Sequence, residues 1–310
     1  MKILITGGAG FIGSHMCERL ASEGHEVVCI DSLITGDKKN VENLNIESLN
    51  QDIRKPFDIK ADLVINLACP ASPIDYQKYP IETLETNSIG MKNVLGNAIK
   101  YKMRVLHAST SEVYGDPLKH PQSEDYWGNV NPNGPRSCYD EGKRFAESFC
   151  MNYNKKYKID IIMARIFNTY GPRMRSNDGR VIPNFINQAL RNEPITIYGN
   201  GKQTRSFCYI SDMVDGLIRL AFSDIKFDIF NIGNPNETKL TELAEIVKKL
   251  CASDSKITFK PLPQDDPVKR KPDITKITKT TNWMPKVSLE EGLLKTINYF
   301  KDVGDKKYGR

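Results

Sequence analysis

The sequence of 310 residues is poor in metal-binding groups. It has four histidines, and none stands at ligand spacing from a cysteine, a carboxylate or another histidine. Its seven cysteines are scattered singly, with no C-x-x-C pair. This pattern is typical of buried thiols in a reducing compartment rather than of a zinc site or a disulfide framework. We therefore expect no bound metal and a cytoplasmic location.

Long apolar runs and charge of one sign are missing as well. No window of about 18 consecutive apolar residues appears, which argues against a transmembrane helix. The first residues show no charged leader and no cleavage site. Lys and Arg number 44 against 38 Asp and Glu, a net charge of +6 without long basic blocks. We expect a soluble protein that binds neither membrane nor nucleic acid, whereas a small anionic ligand suits its mild positive charge.

Apolar segments rich in Ile, Val and Leu alternate with helical patterns in the first half of the chain. This alternation is typical of an α/β fold with a doubly wound parallel sheet, and the second half predicts a smaller α/β unit. Residues 301–310 are expected to fray. Strands are predicted at 2–6, 26–31, 62–68, 104–109, 160–166 and 227–232, and helices at 13–22, 80–100, 139–157, 182–191, 212–222, 241–250 and 289–300.

A glycine-rich turn connects the first predicted strand to the first predicted helix. Gly7 permits the tight turn, Gly10 lets the backbone approach a pyrophosphate, and Gly13 lets the helix pack closely on the sheet. Asp31 ends the next strand, where a carboxylate accepts hydrogen bonds from ribose hydroxyls and repels a 2′-phosphate. The sequence therefore predicts a dinucleotide site that prefers NAD to NADP. Asp52 either meets the adenine or caps a turn.

Two pairs of polar residues are candidates for catalysis. Tyr139 and Lys143 lie four residues apart on a predicted helix and share one face. A free phenol has a pKa of about 10, and a nearby ammonium favours the phenolate, which takes a proton from a sugar hydroxyl. Thr110 and Glu112 follow the predicted strand 104–109, at the sheet edge where ligands bind. There Thr110 donates to the same sugar oxygen and Glu112 places a carboxyl at the substrate.

Seven longer segments carry a resemblance that extends from Gly7 to Phe300. The chain resembles the extended short-chain dehydrogenase/reductases of nucleotide sugars, and among them the UDP-glucuronate decarboxylases. The resemblance implies a Rossmann-type NAD-binding domain over 1–172, to which residues near 206–233 return, and a nucleotide-sugar-binding domain mainly over 173–310. The segments are TSEVYGDP (110–117), EDYWGNVNP (124–132), CYDEGKR (138–144), ARIFNTYGPR (164–173), DGRV (178–181), QTRSF (203–207) and DDPVKRKPDI (265–274).

The implied activity is NAD-dependent decarboxylation of UDP-glucuronate to UDP-xylose, by oxidation at C4, loss of the C6 carboxylate and return of hydride. Ser111 stands where related 4,6-dehydratases carry the aspartic acid that expels water, and a hydroxyl is a far weaker acid. Arg270 corresponds to an arginine that faces the sugar carboxylate in the decarboxylases, a group that guanidinium binds well. A 4,6-dehydratase, a 4-epimerase and a non-catalytic NAD-sensing module stay open as alternatives.

The resemblance alone implies further contacts. It implies a homodimer, paired through a four-helix seam of helices 80–100 and 139–157, although a tetramer stays open. Glu85 departs from the family pattern, which often has a lysine there, and its carboxylate would repel an anionic substrate unless it pairs elsewhere. The implied cofactor contacts are Gly7, Gly10, Phe11, Ile12, Gly13, Asp31, Gly36, Asp52, Ile53, Leu67, Thr86, Tyr139, Lys143, Thr169 and Arg180. The implied substrate contacts are Asn93, Ser111, Glu112, Tyr139, Asn168, Tyr198, Gln203, Arg205 and Arg270.

Overall fold

The computed structural model describes residues 1–262 and 269–308. A sheet of seven strands lies at its centre, and every neighbouring pair of strands is parallel. Its strands are β1 (Lys2–Thr6), β2 (Glu26–Asp31), β3 (Glu47–Asn50), β4 (Leu63–Asn66), β5 (Arg104–Thr110), β6 (Ile161–Ile166) and β11 (Phe227–Ile232). The order β11-β6-β5-β4-β1-β2-β3 runs outward in both directions from β1 and β4, which confirms the predicted doubly wound α/β fold.

Helices cover both faces of this sheet because its strands carry apolar residues on both sides. In β1, the side chains of Ile3 and Ile5 belong to one hydrophobic cluster and that of Leu4 to the other, since successive residues of a strand point to opposite faces. The first cluster includes residues of α1 (Phe11–Ser22) and α7 (Ile210–Ala221). The second includes residues of α4 (Met91–Tyr101) and α5 (Ser137–Tyr157).

Three details differ from the predicted elements. The edge strand β3 was missed because all four of its residues are exposed and form no apolar run. The predicted helix 80–100 consists of α3 (Pro80–Glu85), a π-helical turn at Thr86–Gly90 and α4, and it follows a short α2 (Pro73–Lys78). The final helix α10 (Leu289–Tyr308) continues past its predicted end at residue 300.

The second half of the chain adds short strands and helices beside the carboxyl end of the main sheet. The strand β14 (Lys269–Arg270) pairs in parallel with β9 (Thr204–Ser206), which places Arg270 opposite Arg205. None of the described helices is long and apolar enough to cross a membrane. Residues 265–268 of the DDPVKRKPDI segment lie outside the described residues. The remaining elements are β7 (Thr169–Tyr170), α6 (Val181–Leu190), β8 (Ile195–Tyr198), β10 (Cys208–Tyr209), β12 (Glu237–Lys239), α8 (Leu240–Leu250), β13 (Ile257–Lys260) and α9 (Thr275–Thr281).

Candidate active site

A cavity of about 740 Å³ opens at the carboxyl ends of the central strands. One end is lined by the turn after β1, and the other by residues that follow β5 and by Arg205 and Arg270 from the second half of the chain. In a doubly wound sheet this edge is where ligands bind. The cavity therefore connects the predicted dinucleotide turn with the predicted catalytic residues.

The glycine-rich turn has the backbone geometry that a bound phosphate needs. Gly7 has a φ of 70°, and a Cβ atom there would lie 2.7 Å from the backbone nitrogen of Ala68. A Cβ atom at Gly13 would lie 2.1 Å from the carbonyl oxygen of Gly7, so the close approach of α1 requires glycine. No side chain caps the first turn of α1, whose N–H groups line the cavity end and suit a diphosphate.

Asp31 lies where a ribose hydroxyl would meet the protein. Its Oδ2 accepts a hydrogen bond from the backbone N–H of Ala9 at 3.0 Å, and its Oδ1 accepts one from Leu33 at 2.8 Å. Burial raises the pKa of this carboxyl. A Cβ atom at Gly36 would lie 2.8 Å from Oδ1, so glycine leaves the carboxylate accessible there. These residues fit a dinucleotide with a free 2′-hydroxyl, as in NAD.

Asp52 caps a turn, one of the two roles that the sequence left open. Its Oδ1 caps a turn by accepting from the backbone N–H of Arg54 at 2.9 Å, while the residue also lines the cavity. The Arg54 guanidinium donates to Asp52 Oδ2 at 2.7 Å and to Glu85 Oε2 at 2.8 Å. The Glu85 carboxylate therefore pairs with Arg54, and Glu85 is not among the residues that line the cavity.

Tyr139 and Lys143 meet Thr110 at the centre of the cavity. Lys143 Nζ donates to the carbonyl oxygen of Ala108 at 2.8 Å and lies 5.9 Å from the centroid of the Tyr139 ring. Burial raises the pKa of Tyr139, and this effect outweighs the opposite effect of the nearby Thr110 hydroxyl. Burial of the ring therefore disfavours the phenolate that the sequence predicts beside the ammonium.

Tyr76 supports this phenol and was not foreseen from the sequence. Its ring stacks on that of Tyr139, with centroids 5.1 Å apart and planes inclined by 10°. The Tyr76 hydroxyl is buried without a hydrogen-bond partner among the described residues, and the residue lines the cavity. An unsatisfied buried donor beside the candidate base fits a polar ligand at this position.

Glu112 lies between two guanidinium groups at the far end of the cavity. Arg270 Nη1 donates to Glu112 Oε1 at 2.9 Å, and Arg136 Nη2 donates to the other carboxylate oxygen. Burial opposes ionisation of Glu112, but Arg270 and Arg136 outweigh it and hold its pKa at about 2. The carboxyl is therefore an anion at neutral pH. As an anion it is better suited to orienting a water molecule than to donating a proton.

Arg270 is buried, with 1% of its surface exposed, and most of its donors are already used. It donates to the Ser111 hydroxyl at 2.9 Å and to the carbonyl oxygen of Gly115 at 2.8 Å, in addition to Glu112. Its Nε has no hydrogen-bond partner among the described residues. Three of the five N–H groups of Arg270 are thus bound to Ser111, Glu112 and the Gly115 carbonyl, which limits how a sugar carboxylate can bind to this guanidinium.

Three of the residues implied by the resemblance do not line the cavity. Gly36 lies against the Asp31 carboxylate, Asn93 donates to the carbonyl oxygen of Ile53 at 2.8 Å, and Gln203 donates to that of Tyr198 at 2.6 Å. Asn93 and Gln203 thus hold backbone that lies next to the site. The residues brought together at the cavity are Gly7, Gly10, Phe11, Ile12, Gly13, Asp31, Asp52, Ile53, Leu67, Thr86, Thr110, Ser111, Glu112, Tyr139, Lys143, Asn168, Thr169, Arg180, Tyr198, Arg205 and Arg270.

Within residues 1–262 and 269–308, no group of three or more His, Cys, Asp or Glu side chains is arranged to hold a metal ion. All seven cysteines are free thiols.

The fold and the site together define a class of protein. A glycine-rich turn, a carboxylate at the end of the second strand and a Tyr-x-x-x-Lys pair on one doubly wound sheet are the parts of a dehydrogenase/reductase site. The sequence model of the NAD dependent epimerase/dehydratase family matches residues 3–233, and the chain belongs to this family.

Relatives in this family are similar over nearly the whole chain. UDP-glucuronic acid decarboxylase 1 of Danio rerio is 54% identical over 303 residues, which cover 96% of this chain and 72% of the relative. UDP-glucuronic acid decarboxylase 2 of Arabidopsis thaliana is 50% identical, covering 100% of this chain and 71% of the relative.

Solved structures with this fold include sugar-nucleotide epimerases. UDP-glucose 4-epimerase of Thermotoga maritima, with UDP-glucose, has a TM-score of 0.90 and 30% identity, covering 98% of this chain and 99% of that chain. UDP-glucuronic acid 4-epimerase of Bacillus cereus, in complex with UDP-glucuronic acid and NAD, has a TM-score of 0.86 and 29% identity, covering 98% and 100%.

Proposed function

We propose that the chain is an NAD-dependent decarboxylase that converts UDP-glucuronate to UDP-xylose and carbon dioxide. The observation that carries this proposal is the buried Arg270, which lines the cavity and contacts Ser111 and Glu112. A guanidinium there attracts a substrate carboxylate. The decarboxylases of Danio rerio and Arabidopsis thaliana, at 50–54% identity, support the same activity.

The described residues fit the cofactor and divide its contacts. Gly7, Gly10 and Gly13 would receive the diphosphate at the start of α1, and Asp31 would hold the adenosine ribose. When bound, NAD accepts hydride from C4 of the sugar and later returns it, so a turnover is redox-neutral. The turn and the Asp31 carboxylate bind the cofactor throughout.

The chain's own side chains move the protons. Tyr139 takes the proton of the C4 hydroxyl in its phenolate form, which burial disfavours and the positive charge of Lys143 favours, and Thr110 donates a hydrogen bond to the same oxygen. Lys143, held by the Ala108 carbonyl, supplies positive charge beside the phenol. In the 4-keto sugar the C6 carboxylate is β to the ketone, so carbon dioxide leaves while charge develops on the 4-oxygen, which Tyr139 and Thr110 stabilise. Glu112, an anion, orients the water that delivers a proton to C5.

Loss of water in place of carbon dioxide is disfavoured at this site. A dehydratase needs an acid for its leaving hydroxyl, and Ser111 offers only a hydroxyl that already accepts from Arg270. Epimerisation at C4 is the stronger alternative, because the Bacillus cereus neighbour is a 4-epimerase in complex with UDP-glucuronic acid. A module that binds NAD without catalysis has no use for the Tyr139, Lys143 and Thr110 arrangement.

The mass of the nucleotide product tests the proposal. The protein is incubated with UDP-glucuronate and a catalytic amount of NAD, and the mass of the nucleotide sugar is measured by mass spectrometry. A decarboxylase yields a product lighter by one carbon dioxide, with no accumulation of NADH absorbance. An epimerase leaves the mass unchanged, and a dehydratase removes one water. An unchanged mass would sink the decarboxylase proposal.

We also propose a division of the chain and a homodimer in the cytoplasm. Residues 1–172 and 206–233 form the NAD-binding part, and the rest of 173–310 forms the sugar-binding part. The position of β11 in the main sheet supports this division.

Exposed apolar side chains on the helices of the proposed seam support the dimer. These are Ile81, Ile89, Phe145 and Met151. The seven free thiols support a reducing compartment.

Light scattering of the eluting protein tests the dimer. We expect twice the chain mass, and a monomer for the variant Phe145→Asp, because a charge at an apolar seam is costly to bury. The variant Phe222→Asp is the matched control, since Phe222 is also exposed but lies after α7, away from α4 and α5. A monomeric parent protein would contradict the seam.

A further inference from the structure

Asp140 belongs to a cluster of four charged side chains and takes no part in the mechanism above. It lies one helical turn after Arg136 on α5, and its Oδ2 is 3.8 Å from Arg136 Nε. Arg136 also donates to Glu112, and Arg270 donates to Glu112 from the other side. Two guanidinium groups and two carboxyls thus form one connected group behind the sugar end of the cavity.

One carboxyl oxygen of Asp140 has no hydrogen-bond partner among the described residues. The residue is 6% exposed, and its Oδ1 is buried without a hydrogen-bond partner among the described residues. A buried carboxylate oxygen without a donor is unfavourable, whereas a protonated oxygen carries no charge. Asp140 Oδ1, to which no described residue donates a hydrogen bond, is therefore the oxygen of this cluster that is most easily protonated.

The charges that surround Asp140 point the same way. Burial raises its pKa to about 7, and the neighbouring carboxylates of Glu112 and Glu141 add to this rise, whereas Arg136 and Arg270 oppose it. The buried phenol of Tyr76, on α2, also faces the carboxyl and is neutral because burial raises its pKa. Glu112, held at a pKa of about 2, stays ionised. Asp140 is thus the carboxyl of the pair whose charge changes near neutral pH.

Charge balance links this proton to the substrate. Glu112 and Asp140 place two carboxyls beside Arg136 and Arg270, and the Arg205 guanidinium also lowers the pKa of Glu112. A sugar carboxylate that enters beside Arg270 adds one buried negative charge, which favours a proton on the nearest titratable carboxyl. A neutral sugar adds no such charge.

We propose that Asp140 takes up a proton when a carboxylate-bearing nucleotide sugar binds, and so compensates the buried charge of the substrate. The inference rests on the proposed function, since it needs UDP-glucuronate at the cavity. The proton comes from solvent and forms an O–H bond at Oδ1, and no electrons are transferred. It leaves again once the carboxylate has been lost as carbon dioxide. Asp140 is a positioning residue, because it acts on the substrate through Arg136 and Glu112.

The sign of the pH effect follows from this coupling. Well below pH 7, Asp140 is already protonated in the free protein, so binding takes up no proton. Above pH 7 the uptake approaches one proton, and the affinity for UDP-glucuronate falls by roughly tenfold per pH unit at the limit. UDP-xylose, which lacks the carboxylate, shows no such dependence.

Calorimetry on a variant that binds without turnover measures the uptake. Tyr139→Phe, loaded with NAD, is titrated with UDP-glucuronate at pH 7.5 in two buffers of different ionisation heat. We expect roughly 0.5 to 1 proton taken up per bound UDP-glucuronate and none per UDP-xylose. Adding Asp140→Asn removes the uptake and flattens the pH dependence of the dissociation constant. Adding Asp212→Asn leaves both unchanged, since Asp212 is also buried but binds the backbone N–H groups of Lys286 and Val287.

Each result decides for or against the inference. Equal uptake with and without Asp140→Asn overturns it, as does UDP-glucuronate binding without uptake at pH 7.5. If Asp140→Asn does not fold, the pH dependence of UDP-glucuronate and UDP-xylose affinity in Tyr139→Phe decides, and two parallel curves overturn the inference. Failure of the proposed function is separate, because it appears as no carbon dioxide from the unmutated protein.

Discussion

The dinucleotide end of the cavity is assembled from neighbours in sequence, whereas the sugar end joins residues from distant parts of the chain. Gly7, Gly13 and Asp31 belong to one strand-helix-strand unit, and much of their contribution is backbone geometry. At the sugar end, Arg270 reaches Ser111 across 159 residues and Glu112 across 158. Its contacts are made by a charged side chain to a carboxylate, a hydroxyl and a backbone carbonyl.

This difference separates the part of the cavity that binds the cofactor from the part where the reaction takes place. Backbone geometry accepts a diphosphate in the same way whatever reaction follows, which is consistent with a family that contains epimerases and dehydratases. The charged cluster at the sugar end is where one reaction differs from another. Substitutions at the two ends should therefore fail in different ways, and the following predictions run from the largest effect to the smallest.

Tyr139→Phe should have the largest effect on turnover. Removing the phenolic hydroxyl removes the base for the C4 proton, so we expect kcat to fall by about 10²–10⁴-fold, the range for general acid-base catalysis. NAD affinity should fall far less than kcat, because the glycine-rich turn and Asp31 are unchanged. Initial rates of UDP-xylose formation measure the effect. Tyr101→Phe, which removes only a surface contact with Asp58, is the control, and retained turnover in Tyr139→Phe would contradict the assigned base.

Arg270→Met should destabilise the fold and damage the sugar end together. The Glu112 carboxylate loses one of its two guanidinium partners, and breaking a buried ion pair costs about 3 kcal/mol. Affinity for UDP-glucuronate should fall more than that for UDP-xylose. Chemical denaturation and binding titrations measure the two effects.

Arg165→Met is the control for Arg270→Met, because it separates loss of protein stability from loss of substrate recognition. Arg165 is also buried and binds Glu147 through two hydrogen bonds of 2.8 and 2.9 Å, but it does not line the cavity. It should lose similar stability and keep the preference for UDP-glucuronate over UDP-xylose. An equal loss of preference in both variants would remove the special role of Arg270.

Gly13→Ala should impair the dinucleotide end and leave the sugar end intact. The added Cβ would meet the Gly7 carbonyl oxygen at 2.1 Å, and overpacking of this kind costs about 1–3 kcal/mol. NAD affinity should fall accordingly, as measured by quenching of intrinsic fluorescence. Gly96→Ala is the matched control, because its Cβ meets no atom within 4 Å and helix propensity improves. Unchanged NAD affinity in Gly13→Ala would show that the close packing of α1 is not needed.

Glu85→Gln should have the smallest effect. The pair with Arg54 is partly exposed, with 41% of the Glu85 side chain accessible, and such pairs contribute less than about 1 kcal/mol. NAD affinity should therefore change by less than about fivefold, and UDP-glucuronate affinity should not rise. Glu291→Gln, in an exposed pair with Lys295, is the control. A large gain in UDP-glucuronate affinity would mean that the Glu85 charge acts on the substrate after all.

The sequence was sufficient where function depends on local pattern. The alternation of apolar segments predicted the parallel sheet, and the glycine-rich turn predicted its own φ and packing requirements at Gly7 and Gly13. The spacing of Tyr139 and Lys143 predicted a shared helical face, which the structure has. Each of these depends on residues near one another in the chain.

Side-chain environment was not predictable in the same way. The stacking of Tyr76 on Tyr139 joins α2 to α5, and no periodicity in either helix indicates it. Burial decided the pKa of Tyr139, and burial is a property of the folded chain. Arg136 could have been found, because three residues before Tyr139 is the same helical face. The hydrogen bonds from Arg270 to Glu112 and Ser111 could not have been predicted, because they join distant parts of the chain.

The central claim is that the sugar end removes a carboxylate. UDP-glucuronate labelled with ¹³C at C6 is incubated with the protein and catalytic NAD, and the label is followed in the gas phase and in the nucleotide sugar. The account predicts that the label leaves as carbon dioxide in step with the formation of unlabelled UDP-xylose. Label retained in a nucleotide sugar of unchanged mass, with C4 inverted, would contradict it.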